Sequence, residues 1–439
     1  MRTQRQDTRA PFSIVEQWIF HLDQESEPWS VHCEVRVAGR LDSDRLAAAA
    51  LAAAARHPMA RARMARFRPG DHRYWWEIPD LADHLSLEIL DCPDDAALDD
   101  ARDRLESMDV DLGSSPPFAL TLAHRPGGDS LLLNLHHAAA DGIGAYRLLT
   151  SIARAYAGAE DPVPDVNPLD VRDVRWQVGS RGVRDGLIRA RELGDRVCGG
   201  APARIARQGP GGAVTGYGFR LLRLGPEETE VVTQRRRDPA TVNDLLVAAL
   251  AIAVARFNSE RAIPTGRVSV MTPVNLRPPA WSGEVVANIL SFVSVSVPAS
   301  ERSDLAGTQL AVEARTRAQK ARRLPGAVID VLGLASVTPV GLRQFLARTV
   351  RHPISDKFVD TAILSNLGRL DQPLDFGPEA GTATEIWFSP PGQMPLGAGI
   401  GVATMNGEMF LTVRYCRAQF DATGARAFAE AWREVLLGG

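Results

Sequence analysis

The chain has 439 residues, a formal net charge of −3 and a pI near 6.3, with 45% hydrophobic and 23% charged residues. This is the globular average, so a disordered chain, a collagen-like fibre and a charged tail protein are excluded, and the charge gives no general affinity for nucleic acid or an anionic membrane. The length fits two or three domains, or one large two-lobed unit.

In chain order, a helix is expected over residues 14–22, with Ser13 placed to cap it. The alternating stretch 31–37 reads as a half-buried strand that Gly39 ends. Asp42 or Ser43 then caps an alanine-rich helix running to Arg56 and stopped by Pro58. Residues 80–111 hold twelve acidic residues and two arginines and read as solvated helices and loops. Residues 118–124 and 130–135 are two strand-like runs around the turn Arg125-Pro126-Gly127-Gly128-Asp129, a hairpin signal. A helix over 143–157 offers Ile143, Leu148, Leu149, Ile152 and Tyr156 as its apolar face.

Proline- and glycine-rich stretches at 160–168 and 199–218 mark linkers, dividing the chain into a first lobe at 1–165, a linker and crossover at 166–218, and a second lobe at 219–439. The second lobe is expected to hold helices at 226–237 and 242–257, strands at 268–272 and 289–297, and a basic helical region at 311–351. Strands at 361–365, 399–405 and 409–415 and an end helix at 422–437 follow. Helices mixed with hairpins point to α+β sandwiches, and neither GxGxxG nor GxxxxGK[ST] is present.

Lysine occurs only at Lys320 and Lys357; the arginine excess, with abundant alanine, glycine and proline, fits GC-rich coding rather than a binding function. Cys33, Cys92, Cys198 and Cys416 are far apart and form no CxxC pair, against a zinc ribbon or a disulfide framework and in keeping with a reducing cytosol. The N-terminal stretch lacks the apolar run of a signal peptide. The apolar runs at 46–55 and 245–255 fall short of the roughly 18 residues that span a bilayer and read as buried helices. A cytoplasmic protein without membrane or nucleic-acid partners is expected, working as a monomer.

The chemically informative segment is Leu131-Leu132-Leu133-Asn134-Leu135-His136-His137-Ala138-Ala139-Ala140-Asp141-Gly142. Two histidines end an apolar strand, and an aspartate and a glycine open the next helix. A neutral imidazole at a strand end can accept a proton near pH 7. Asp141 can pair with an arginine or simply cap the helix, and both roles are compatible. Gly142 allows a backbone geometry that other residues resist. A metal site would need more ligands than HHxxxD offers, and neither HExxH nor a further His/Cys cluster is found.

His136-His137-Ala138-Ala139-Ala140-Asp141-Gly142 resembles the HHxxxDG signature of the acyltransferase superfamily that includes nonribosomal-peptide condensation domains and polyketide-associated acyltransferases. The resemblance extends to Arg56-His57-Pro58, to Thr241-Val242-Asn243-Asp244, to Pro273-Val274-Asn275-Leu276-Arg277-Pro278, to Ala287-Asn288 and to Ser365-Asn366-Leu367-Gly368, and so spans nearly the whole chain. Asp375-Phe376-Gly377 followed by Pro378-Glu379 matches the plant DFGWG motif only in part, and the wax-synthase PLW opening is missing. Both departures place the likeness with stand-alone proteins of the bacterial natural-product branch.

The resemblance implies two chloramphenicol-acetyltransferase-like lobes in a V-shaped pseudo-dimer around a central tunnel. A thioester of coenzyme A or of a carrier-protein phosphopantetheine enters from one side, and a hydroxyl or amine from the other. No cofactor is expected beyond that activated substrate, and an acyl or peptidyl carrier protein is a candidate partner. His137 is the implied general base, with His136 packed or bonded to backbone and Asp141 structural, paired with Arg277. The Gly142 N–H and the Ser365 hydroxyl are candidate oxyanion donors, although Ser365 could equally be a buried strand serine. Thr241-x-x-Asp244 also reads as a capping box, which accounts for Asn243-Asp244 without catalysis. Arg315, Arg322 and Arg323, within a basic run that includes Arg348 and Arg351, could dock a phosphorylated donor or form a solvated helix face.

Three other readings compete with acyl transfer. A recruiting domain without catalysis usually loses the second histidine, which is present here. Epimerisation shares the motif but normally occurs within a larger synthetase, and a heterocyclising domain would carry two aspartates in place of HHxxxDG.

Overall fold

The apolar runs assemble into three sheets in a computed structural model, which describes residues 8–23, 28–162, 165–209, 216–281, 283–327, 329–330, 333, 338–345, 359–392, 394 and 396–439. Strand labels follow chain order. β1 (Thr8–Pro11), β3 (Arg63–Met64) and β4 (Trp75–Ile78) form a small sheet in the order β1-β4-β3. The first large sheet has the order β12-β2-β7-β6-β5, from β2 (Ser30–Val37), β5 (Ser86–Asp91), β6 (Phe118–His124), β7 (Ser130–His136) and β12 (Ala383–Ser389). The second, β10-β9-β11-β13-β14-β8, holds β8 (Tyr217–Leu224), β9 (Val268–Asn275), β10 (Leu290–Val297), β11 (Ala362–Leu370), β13 (Ala398–Met405) and β14 (Glu408–Cys416).

Both faces of the first sheet are covered, which is why β7 carries Leu131, Leu132 and Leu133 in a row rather than an alternation. On one face lie α2 (Ser43–Arg56), whose Ala49, Ala50, Ala53 and Ala54 permit close approach, and α4 (Gly142–Ala157), which brings Leu148, Leu149 and Ile152. On the other, Leu98, Ala101 and Leu105 of α3 (Asp95–Glu106) pack on Ala119, Ala123 and Leu132. In the second half, the helix Val242–Ser259 is apolar nearly all round because it sits between its sheet and the helices Leu305–Ala321 and Ala422–Leu437. By length and composition alone it could cross a membrane, but here it is mostly buried as a core helix. β10 alternates buried and partly exposed residues, as fits an edge strand.

Most expected elements appear within a residue or two of their expected limits. α1 (Ile14–Leu22) begins with a full capping box between Ser13 and Glu16. The stretch 166–218 is not only linker: its described residues include the helices Pro168–Val171, Arg175–Val178 and Val183–Cys198. The basic region 311–351 resolves into the end of the helix Leu305–Ala321, a left-handed turn at Arg323 and the short turn Leu324–Gly326; much of its remainder lies outside the described residues.

One strand of the stretch 219–439, expected as the second lobe, joins the first sheet. β12 leaves the second half and pairs antiparallel with β2 in the first sheet. Its backbone runs tight against β13: a Cβ on Gly401 would lie 1.7 Å from the Phe388 carbonyl oxygen, so only glycine fits. Trp387 meets Phe410 edge to face at 5.1 Å, and Ala403, Met405 and Phe410 join the core of the first sheet. An apolar core thus runs from one sheet into the other.

Candidate active site

His136 and His137 sit where β7 ends, and the short turn to Asp141 leads directly into α4. Their nitrogens are used in opposite ways. His136 Nδ1 accepts the Ala138 N–H at 3.0 Å, so its proton is on Nε2, which donates to Asp23 Oδ2 at 3.2 Å. His137 Nδ1 lies 3.1 Å from the Ala140 carbonyl oxygen. A carbonyl only accepts, so Nδ1 carries the proton and Nε2 keeps its lone pair. No group among the described residues hydrogen-bonds that Nε2. Burial, more than any neighbouring charge, holds the His137 imidazole below its ordinary value of 6.5 and therefore neutral at pH 7.

The His137 backbone is clamped from several sides. Its N–H donates to the Trp29 carbonyl at 2.8 Å, and the Trp29 indole lies nearly parallel to the imidazole, 17° between planes and 6.1 Å between centroids. Asn288 donates its side-chain N–H to the His137 carbonyl. Asp23 holds both His136 and, through Oδ1 at 2.6 Å, the Trp29 N–H.

Asp141 is both helix cap and ion-pair partner. Its Oδ1 accepts the Gly144 N–H at 2.9 Å and Arg277 Nη2 at 2.9 Å; its Oδ2 accepts Arg277 Nη1 at 2.7 Å and the Ile289 N–H at 3.0 Å. Arg277 Nη2 also donates to the carbonyls of Val285 and Ala287. The Arg277 side chain is fully buried, which rules out an exposed strand-end arginine. The pair ties the end of β9 to the start of α4 across 136 positions.

Gly142, half-buried, is the first residue of α4, and its N–H has no partner among the described residues. The reason for glycine differs from the one expected. Its φ is not positive; instead, a Cβ there would meet two ring carbons of Phe388 at 2.7 Å and Leu367 Cδ2 at 3.0 Å. Because the Phe388 ring, carried by β12, is buried in the core and has little room to give way, we expect Gly142→Ala to destabilise the protein by about 1–3 kcal/mol. An unchanged melting temperature would show that the ring yields.

Ser365 is half-buried on β11, opposite Gly401 in the parallel ladder, two residues before Leu367. Asp244 is taken up by the helix start: its carboxylate accepts from Thr241 N–H at 2.8 Å and Oγ at 2.6 Å. The arginines expected at a donor each have an intramolecular partner. Arg315 forms a two-pronged pair with Glu301 at 2.6 and 2.7 Å, Arg322 pairs with Glu192, and Arg323 donates to the Gln177 carbonyl. These partners are invisible in a run counted for net charge; Arg348 and Arg351 lie outside the described residues.

Sequence reasoning assigned no role to Trp29, Asp23 or Asn288. Asn288 was marked only by the resemblance of Ala287-Asn288; Trp29 and Asp23 carried no signal.

The family model of the condensation domain matches residues 10–174. The uncharacterized protein Rv2305 of Mycobacterium tuberculosis (strain H37Rv) is 40% identical over 413 residues, covering 93% of this chain and 94% of its own. Among solved structures, the first condensation domain of the calcium-dependent antibiotic synthetase, in complex with a substrate analogue, superposes with a TM-score of 0.73 at 15% identity, covering 99% of this chain and 96% of that one. A double mutant of the starter condensation domain of rhizomide synthetase, in complex with C8-CoA and Leu-SNAC, gives a TM-score of 0.67 at 15% identity, covering 98% of this chain and 94% of that one. These likenesses agree with the two-lobed α+β architecture.

Proposed function

The chain belongs to the condensation-domain family, and we propose that it is an acyltransferase that moves an acyl group from a thioester of coenzyme A or a carrier protein to a hydroxyl or amine in natural-product assembly. The observation that carries this reading is the pair of opposed tautomers. His136 has both nitrogens engaged, while His137 presents an unengaged Nε2 lone pair on a neutral, clamped ring. The binding of C8-CoA and Leu-SNAC by a domain of the same fold supports a thioester donor.

In the proposed reaction the acceptor O–H or N–H lies against His137 Nε2, and its oxygen or nitrogen attacks the thioester carbonyl carbon as Nε2 takes the proton. The negative charge then developing on the carbonyl oxygen is met by the Gly142 N–H at the positive end of the sixteen-residue α4, with the Ser365 hydroxyl as second donor. Collapse of the tetrahedral species breaks the C–S bond, and the departing thiolate takes the proton back from His137. The ester or amide and a free thiol result, and the ring is again neutral. The thioester brings its own activation, so the scheme calls for no prosthetic group or metal.

The test is to incubate the purified protein with a panel of acyl-coenzyme A and acyl-carrier donors and acceptor hydroxyls and amines, and to follow acyl loss and product mass by mass spectrometry. Transfer from at least one donor class, dependent on an acceptor, is expected. A chain that binds donors or carriers yet never transfers would instead favour a recruiting role.

A further inference from the structure

Arg414 lies in β14, in the sheet of the second half, yet its side chain crosses to the first. It is fully buried, with Nη1 3.2 Å from the Ser30 carbonyl oxygen and Nη2 3.4 Å from that of Pro28. The guanidinium lies over the Tyr217 ring at 4.2 Å, and Nη1 faces His32 Nδ1 at 3.4 Å. Since arginine only donates, His32 presents a lone pair there; burial first, then Arg414, keep it neutral. Glu106 of α3 is the buried carboxyl whose charge Arg414 favours, against a burial that pushes it upward.

The two carbonyls that Arg414 grips flank Trp29. That residue accepts the His137 N–H through its own carbonyl and stacks its indole on the imidazole. Ser30 is also the ladder partner of His136. Among the described residues a link between Arg414 and the ring of His137 thus runs through three residues of backbone, with Trp29 in the middle held by Asp23 from within the first lobe, and Pro28 and Ser30 on either side held by Arg414 from across the seam.

We infer that Arg414 is a positioning residue for the His137 base: by holding Pro28 and Ser30 it sets where Trp29 places the imidazole. Together with Arg277 on Asp141, it makes the site depend on two arginines from the second half, one on each side of the histidine loop. Loss of either should misplace the base rather than remove it. The inference rests on His137 being the base.

The experiment compares Arg414→Met and Arg414→Lys with the wild type, measuring kcat, KM for donor and acceptor, and the His137 ring resonances by NMR across pH. Methionine fills the space but donates nothing; lysine keeps the buried charge and can donate, but lacks the planar fork that holds both carbonyls in fixed geometry. A displaced base is expected to lower kcat about tenfold to a hundredfold in Arg414→Met, with each KM within about twofold of wild type. The His137 titration midpoint should move up toward the ordinary imidazole value as Trp29 uncovers the ring. Arg414→Lys should recover part of both, and if the methionine variant does not fold, the lysine variant carries both readouts. A lower melting temperature with unchanged kcat and unchanged His137 resonances would overturn the inference and leave Arg414 as a tie between lobes. If His137→Ala keeps the wild-type rate, the base assignment fails, whereas the NMR readout still decides whether Arg414 sets the ring.

Discussion

Replacing His137 with alanine is expected to lower the transfer rate by about 10²–10⁴-fold, the usual contribution of a positioned general base, while the protein stays folded. Among the described residues the ring makes one hydrogen bond, to the buried Ala140 carbonyl, and a parallel contact with Trp29, so its removal should cost about 1–3 kcal/mol without unfolding the protein. His136→Ala should behave in the opposite manner. It takes one donor from Asp23, which keeps the Trp29 N–H, and strands the fully buried Ala138 N–H, the latter costing about 1–3 kcal/mol. Activity should fall only in proportion to the folded fraction. Rate and thermal melting measured on both variants check this. A His136 variant that is folded and inactive, beside an active His137 variant, would reverse the assignment.

The second large effect concerns Asp141 and Arg277. All four hydrogen-bonding positions of the buried carboxylate are filled, two of them by the guanidinium. Such a pair need add no net stability, because both charges lose water. Taking away one partner is different: the other is left buried and unmatched, at a cost of about 3–5 kcal/mol. Asp141→Ala and Arg277→Met should each lower stability by that amount in denaturant unfolding, and transfer should drop with it as the loop bearing His137 loosens. Asp141→Asn separates the roles. It retains the cap on Gly144, itself worth about 1 kcal/mol, so most of the loss should persist if the ion pair dominates. Near-native stability in Asp141→Asn and Arg277→Met would place the function of Asp141 in capping alone.

The parts of this molecule legible from its sequence are those where one local rule governs. Ser13 and Glu16, Thr241 and Asp244, and Asp141 before α4 are caps written within four residues, and each is found as a cap. The apolar runs of β6, β7 and the helix Val242–Ser259 mark elements covered on every side. The pairing of Asp141 with Arg277 came from motif resemblance, since no periodicity links residues 136 positions apart. The features that escaped are all matters of tertiary approach. That Gly142 makes room for Phe388 depends on β12 crossing to the first sheet, and nothing in residues 383–389 says which sheet they join. Trp29 becomes a clamp only because β2 and β7 bring it beside His137. Counting charge along the chain could not show that Arg315 and Arg322 meet Glu301 and Glu192.

The claim at the centre of this account is that transfer uses the lone pair on His137 Nε2. It can be tested by following the ¹⁵N signal of that nitrogen and the transfer rate of the wild-type protein over the same pH range. Burial lowers the His137 value, so the base form persists below pH 6.5, and activity should be full at pH 7 and decline only as pH falls through the depressed value. At pH 7 Nε2 of His137 should be unprotonated and its Nδ1 protonated, with the reverse arrangement in His136, and the rate should fall with the same midpoint at which His137 Nε2 takes up its proton. A protonated Nε2 at pH 7, or a rate indifferent to its titration, would contradict that claim.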